Sequence, residues 1–125
     1  MKKIASIIVI VLLATITINV SAQNKQAIRV ARLQVDSAKL EQYKAALKEE
    51  IETSVRVEPG MLTLYAVYEK NNPTHVTVFE IYADENAYKS HIQTPHFKKY
   101  KTETKEMVLS LDLAETVPIA LERKE

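Results

Sequence analysis

The sequence predicts an α+β domain with the ferredoxin-like order βαββαβ. Three observations carry this. Two strand-like runs, Met61–Lys70 and Thr74–Ala83, flank the turn residues Asn71-Asn72-Pro73 and form a hairpin. A long helix-periodic segment precedes the hairpin, and shorter helical segments follow it. Further extended runs at Ala27–Val35 and Leu109–Leu121 complete the pattern.

Met1–Ala22 precedes the domain. It has a basic start at Lys2 and Lys3, an apolar run from Ile4 to Val20, and Val20-Ser21-Ala22 before Gln23. That is the layout of a secretory signal peptide cleaved after Ala22, so a periplasmic or secreted location is expected. The alternative is a retained anchor, since the run approaches the roughly 20 residues of a membrane span. After removal no stable membrane anchor is expected.

Residues 23–26 are then a leader, 27–121 one domain, and 122–125 a tail. Losing Lys2 and Lys3 reduces the 17 basic residues to 15 against 16 acids, a net charge of −1. Such a balance does not fit a nucleic-acid partner. Cysteine is absent, which excludes disulfides and a thiol nucleophile. Gly60 is the single glycine, which excludes glycine-rich phosphate loops and dinucleotide fingerprints.

In Ala27–Val35 the apolar alternation slips, so either both faces are partly apolar or a bulge lies near Val30 and Ala31. Arg29 and Arg32 fall on opposite sides and read as solvated edge arginines. Asp36 is positioned to cap a helix over Ser37–Val57, whose stripe is Leu40, Tyr43, Leu47, Ile51, Ser54 and Val55. Pro59 ends that helix, and Gly60 supplies a permissive turn.

In the second strand Leu62, Leu64, Ala66 and Tyr68 share one face, and Met61, Thr63, Tyr65 and Val67 the other. In the third, Val76, Val78, Glu80 and Tyr82 oppose His75, Thr77, Phe79 and Ile81. Asp84 caps a short helix, Glu85–Ile92. Thr94 caps the next, with Pro95 at its first position, over about residues 95–108. Pro118 places the final run at an edge or in an arm.

Neither hairpin strand has a clean polar face. Helices cover one side of the sheet, so a second copy of the same sheet is expected on the other. The expected assembly is a homodimer in which the domain forms a dimeric α/β barrel with the partner sheet.

The candidate chemistry lies mainly between Glu80 and Tyr100. His91, three residues from Tyr88, is the candidate general base. Glu80, among apolar neighbours, requires a partner: His91, a tyrosine hydroxyl, or one of the two arginines. His96 and His75 read as surface residues. The three histidines are dispersed and cysteine is missing, which does not resemble a metal centre, so no metal is expected; the alternative is a two-histidine-and-carboxylate site that uses Glu80. Tyr65, Tyr68, Tyr82, Tyr88 and Tyr100 offer aromatic surface and hydroxyl donors, some of them to line a pocket for a small oxygenated aromatic.

Three stretches, VRVEPGMLTLYAVYE, VTVFEIYADENAY and KSHIQTPHFKKY, give the chain a resemblance to the antibiotic biosynthesis monooxygenase family over about Ile28–Leu113. It is most similar to the branch assigned as quinol monooxygenases. The resemblance implies a dimer with facing sheets and one cavity per subunit between sheet and helices. It also implies oxidation of quinols or aromatic polyketides by molecular oxygen in some members, without metal, haem or flavin. It places Glu80, Tyr82 and His91 on the family's acid–aromatic–histidine pattern, and His96 and Phe97 on its second histidine-containing helix start. Tyr82 stands where many members carry tryptophan. The wider family's haem-degrading members would place their haem-ligating histidine near Lys101 and their first-strand asparagine near Ala31, so haem degradation is not expected here.

The functional expectation is a cofactor-independent monooxygenase acting on a small quinol or phenolic aromatic. His91 and Glu80 are its catalytic pair. Tyr65, Tyr82, Tyr88, His96, Phe97 and Tyr100 are its substrate-binding residues. The alternatives are a non-catalytic exported dimer that binds a small aromatic metabolite, and an isomerase of the same fold.

Overall fold

The computed structural model describes residues 25–125. The expected signal peptide, Met1–Ala22, lies outside the described residues. Strand β1 (Ala27–Val35) is followed by a 3₁₀ turn at Ser37–Lys39 and helix α1 (Leu40–Val57). The hairpin β2 (Met61–Glu69) and β3 (Asn72–Tyr82) comes next, then α2 (Glu85–His91), α3 (Pro95–Thr104) and β4 (Val108–Thr116). The four strands form one antiparallel sheet in the order β2-β3-β1-β4. Among the described residues no helix is long and apolar enough to cross a membrane.

Register assigns the two faces. Arg29, Ala31 and Leu33 of β1 stand opposite Glu80, Val78 and Val76 of β3, and opposite Glu115, Leu113 and Leu111 of β4. Directly paired residues share a face, so these all point to one side. Tyr43 and Leu47 of α1 join Ala31, Leu33, Leu64, Val76, Val78 and Tyr82 there in the core, with Tyr88 and Tyr100 packed against it. The other face carries Val30, Phe79 and Ile81, half-buried, and Tyr65 and Val67, about two-thirds exposed.

The structure corrects several expectations. The sheet does not close into a barrel. β2 and β4 are open edges with one neighbour each, separated by β3 and β1. Closure needs the two edges to hydrogen-bond, and small closed barrels take about eight strands. The six-element order βαββαβ counts one helix too few: the second crossover holds two helices, as the separate caps at Asp84 and Thr94 led one to expect. They are broken at the Thr94-Pro95 corner, where proline cannot continue the preceding hydrogen-bond ladder.

β1 has no bulge at Val30 and Ala31; the register shift lies at Gln34/Val35 against β4. A second shift, between Met61 and Thr63, turns Met61 into the core and leaves Leu62 exposed. The hairpin turn is tighter than expected, because Asn72 and Pro73 already belong to β3. Pro73 lies beyond the last β1 partner, His75, so its missing N–H breaks no bond to that neighbour. Finally, α3 stops at Thr104 and β4 at Thr116, before Pro118.

Candidate active site

α1 buries Tyr43, Leu47, Glu50 and Ser54, at steps of four, three and four residues. Glu50 therefore points from the helix toward the sheet, and Ser54 Oγ donates to its carboxylate at 2.7 Å. The helix ends at Glu58, whose N–H still donates to the Ser54 carbonyl while its backbone turns extended (φ −97°, ψ 112°) ahead of Pro59. The Glu58 side chain meets the end of α2 and the start of α3.

Those two ends are held by caps. Asp84 accepts from the Ala87 N–H at 2.8 Å and starts α2. Thr94 accepts from the Phe97 N–H at 3.3 Å and donates to the His91 carbonyl at 2.7 Å. One threonine thereby ties the residue that carries the first imidazole to the helix that carries the second.

Gly60 fits α2 against this corner. A Cβ there would stand 2.5 Å from the Ala87 Cβ. The expected reason for the glycine was a permissive turn, yet its φ is not positive. Close helix approach is what the structure shows instead.

His91 is 2% exposed and lies between two glutamates. Its Nδ1 is 3.0 Å from Glu58 Oε2, and its Nε2 is 3.5 Å from Glu50 Oε1. His96 Nε2 is 2.7 Å from the same Glu58 oxygen. A carboxylate only accepts, so the facing ring nitrogens donate to it. Burial works to raise the Glu58 pKa, but the bonds from His96 and His91 outweigh it and hold the carboxyl below its usual value. Glu50 and Glu80 go the other way, pushed up chiefly by burial. Glu58, its pKa lowered, thus orients the imidazole from the Nδ1 side, while Glu50, its pKa raised, stands at Nε2.

Glu80 settles on the second of its three expected partners. It accepts from the Tyr82 hydroxyl at 2.5 Å. It is Glu58, not Glu80, that orients His91. Burial next to Glu80 pushes the Tyr82 hydroxyl far above the ordinary tyrosine value. The Tyr82 ring packs edge-on against Tyr88 and lies 5.5 Å from His91, centre to centre. Phe97 stands edge-on to His91 at 4.8 Å.

Glu50, Glu80, Tyr88, His91, Phe97 and Tyr100 converge on a cavity of about 100 Å³ between sheet and helices. Leu111 and Leu113 of β4 form part of its wall and remain nearly half exposed. The other sequence candidates lie elsewhere. Tyr82 is fully buried beside the cavity. Tyr65 is 64% exposed and lines a separate groove along β2. His96 lines a second cavity, of about 380 Å³, with Glu58, Ser90 and Thr94. His75 lies at the surface as expected, within reach of Asn72.

Arg29 is the larger surprise. The expectation was a solvated side chain, but it is 3% exposed. Its guanidinium lies 3.4 Å above the Tyr88 ring and bonds Glu85 at 2.6 Å and Glu115 at 3.2 Å. Arg32, on the opposite face, is exposed as expected.

Sequence reasoning missed Glu50 and Glu58. Glu50 had a usable signal, since an acid three residues after Leu47 and four before Ser54 falls on the buried stripe. Glu58 had none beyond its place before Pro59.

The family model for antibiotic biosynthesis monooxygenase matches residues 27–103. A comparison with curated proteins gives no match. Among solved structures, a proposed antibiotic biosynthesis monooxygenase of Bacteroides thetaiotaomicron is 55% identical. The match covers 82% of this chain and 99% of that one, with a TM-score of 0.80. A proposed monooxygenase of Lactobacillus acidophilus is 36% identical, over 77% of this chain but only 46% of that longer one, with a TM-score of 0.74. A protein of Nitrosomonas europaea, at 18% identity and a TM-score of 0.72 over 77% of this chain and 92% of that one, shares the fold.

Proposed function

The chain belongs to the antibiotic biosynthesis monooxygenase family, and we propose that it oxidises a small quinol or phenol with molecular oxygen, without a cofactor. The observation that carries this reading is the Glu58–His91 pair at the wall of the cavity. Glu58 accepts a hydrogen bond from Nδ1–H, which leaves Nε2, on the Glu50 side, as the basic nitrogen.

Nε2 removes the substrate hydroxyl proton. The electron-rich anion then gives one electron to oxygen, and the two radicals combine at a ring carbon to form a peroxide. Loss of water leaves one oxygen atom on the ring, so all reducing equivalents come from the substrate. Glu80, whose pKa burial raises, lines the same cavity and is held there by the Tyr82 hydroxyl, beside the developing anion.

Size constrains the pose. An apolar cavity of about 150 Å³ takes a benzene, and about 100 Å³ is enclosed here. A ring must enter hydroxyl first and project between Leu111 and Leu113. Tyr88, Phe97 and Tyr100 flank it. Tyr82 acts through Glu80, and Tyr65 and His96 do not touch the substrate.

A second copy covers the free face of the sheet, where Phe79, Ile81, Tyr65 and Val67 would otherwise meet water. Light scattering of the protein is expected to give twice the chain mass. The location is periplasmic or secreted, after removal of Met1–Ala22.

Oxygen uptake by chelator-treated protein with a panel of quinols and naphthols tests the activity. Uptake above the autoxidation control, lost in His91→Asn, is the expected result. Uptake equal to that control across the panel overturns the reading.

A further inference from the structure

We infer that Glu58, His91 and His96 form a binding site for one first-row divalent cation, Zn²⁺ being the test case. The three residues offer two imidazole nitrogens and a carboxylate oxygen, all within 4.8 Å of one another. Imidazole with carboxylate is a donor set that borderline cations favour. Tetrahedral coordination at about 2.0–2.1 Å places donors about 3.3 Å apart. The Glu58–His91 and Glu58–His96 contacts, 3.0 and 2.7 Å, must open by about 0.3 and 0.6 Å, and the two imidazole nitrogens, within 4.8 Å of each other, must draw together.

Three further features fit a built site. The first is restraint: Thr94 bonds both the His91 carbonyl and the Phe97 N–H, which fixes the two histidine-bearing segments relative to each other. The second is an outer shell. Behind His91, buried Glu50 stands 3.5 Å from Nε2, near enough to accept from it once the ring shifts to coordinate, and is itself bonded by Ser54. The third is access. The cavity of about 380 Å³ reaches Glu58 and His96, and leaves room for a water or an anion as fourth ligand. His96 is only 17% exposed, so the site is recessed rather than a surface chelate.

Coordination through Nδ1 moves the His91 proton to Nε2, where it faces Glu50. A loaded site therefore cannot use His91 as a base. The catalytic reading above belongs to the metal-free form, and metal binding is tested without reference to turnover.

Protein stripped with a chelator is titrated with Zn²⁺ in a calorimeter and, separately, with Co²⁺ in a spectrophotometer. One Zn²⁺ per chain is expected, with visible Co²⁺ bands of a four-coordinate nitrogen–oxygen site. His96→Asn should weaken Zn²⁺ binding by about 100-fold and abolish the bands, whereas His75→Asn should change neither. Glu50→Gln should weaken binding by about tenfold or more through the outer shell. Circular dichroism checks the fold of each variant, and Glu58→Gln provides a second ligand change should His96→Asn unfold. Binding that is absent, or as tight in His96→Asn and Glu58→Gln as in the parent, overturns the site.

Discussion

Replacing Gly60 with alanine tests the site without touching any of its polar groups. The added Cβ would lie 2.5 Å from the Ala87 Cβ. Carbon atoms pack best at about 3.5–4.0 Å, so α2 and the Glu58-Pro59-Gly60 loop must separate by about 1 Å. That movement acts on the one junction where Glu58, on the loop, meets His91, on α2, at 3.0 Å. Overpacking of this kind costs about 1–3 kcal/mol. A further loss of about 1 kcal/mol follows if the hydrogen bond to the carboxylate breaks. We expect urea denaturation to show a loss of about 2–4 kcal/mol by these two terms together. Ala87→Gly alone should cost about 1 kcal/mol in helix propensity, yet in the double variant it should restore part of the loss by removing the clash. A Gly60→Ala protein within 0.5 kcal/mol of the parent, or a double variant whose losses simply add, would refute the close-packing argument.

Three other changes probe separate parts of the account. Burial raises the Glu80 pKa in the folded state, so its contribution to stability is greatest below the ordinary carboxyl range and is lost as pH rises toward the folded value. Glu80→Gln keeps an acceptor for Tyr82, and denaturation from pH 4 to 8 should show it gaining on the parent as pH rises; a constant difference would contradict this. Arg29→Met should cost about 1–3 kcal/mol in thermal or urea unfolding, less than for a wholly buried pair, because Glu85 and Glu115 reach solvent when released. Lysine at this position should not restore the loss, since it lacks the planar stack on Tyr88. Thr94→Ala should cost about 0.5–2 kcal/mol as a lost cap and broaden the His91 and His96 ring signals in NMR spectra, with sharp, unmoved signals counting against the tie it makes.

What was legible in the sequence was mostly local. Asp84, and Thr94 with Pro95, announce the starts of α2 and α3 because a cap bonds backbone only three residues away. Glu80 and Tyr82 could be placed on one face by the period of a strand alone, and they do bond each other. His91 was legible as a candidate, but its partner was not. Glu58 lies 33 residues earlier, and only the packing of α2 on the loop at Gly60 brings the two together.

The histidines looked dispersed because one helix cannot put residues five apart on one face. The chain instead breaks between them and folds both onto one carboxylate. Arg29 was misread for a related reason: its carboxylate partners are 56 and 86 residues away, and nothing near it in sequence requires burial. The barrel was inferred from two apolar strand faces. Two apolar faces do not establish closure, which needs the edges β2 and β4 to pair.

The most direct test of the central claim is the protonation pattern of the His91 ring in chelator-treated protein, read from long-range ¹⁵N–¹H correlations above neutral pH. The account predicts the proton on Nδ1, donated to Glu58, and a bare Nε2. A proton on Nε2, with Nδ1 bare, would contradict it.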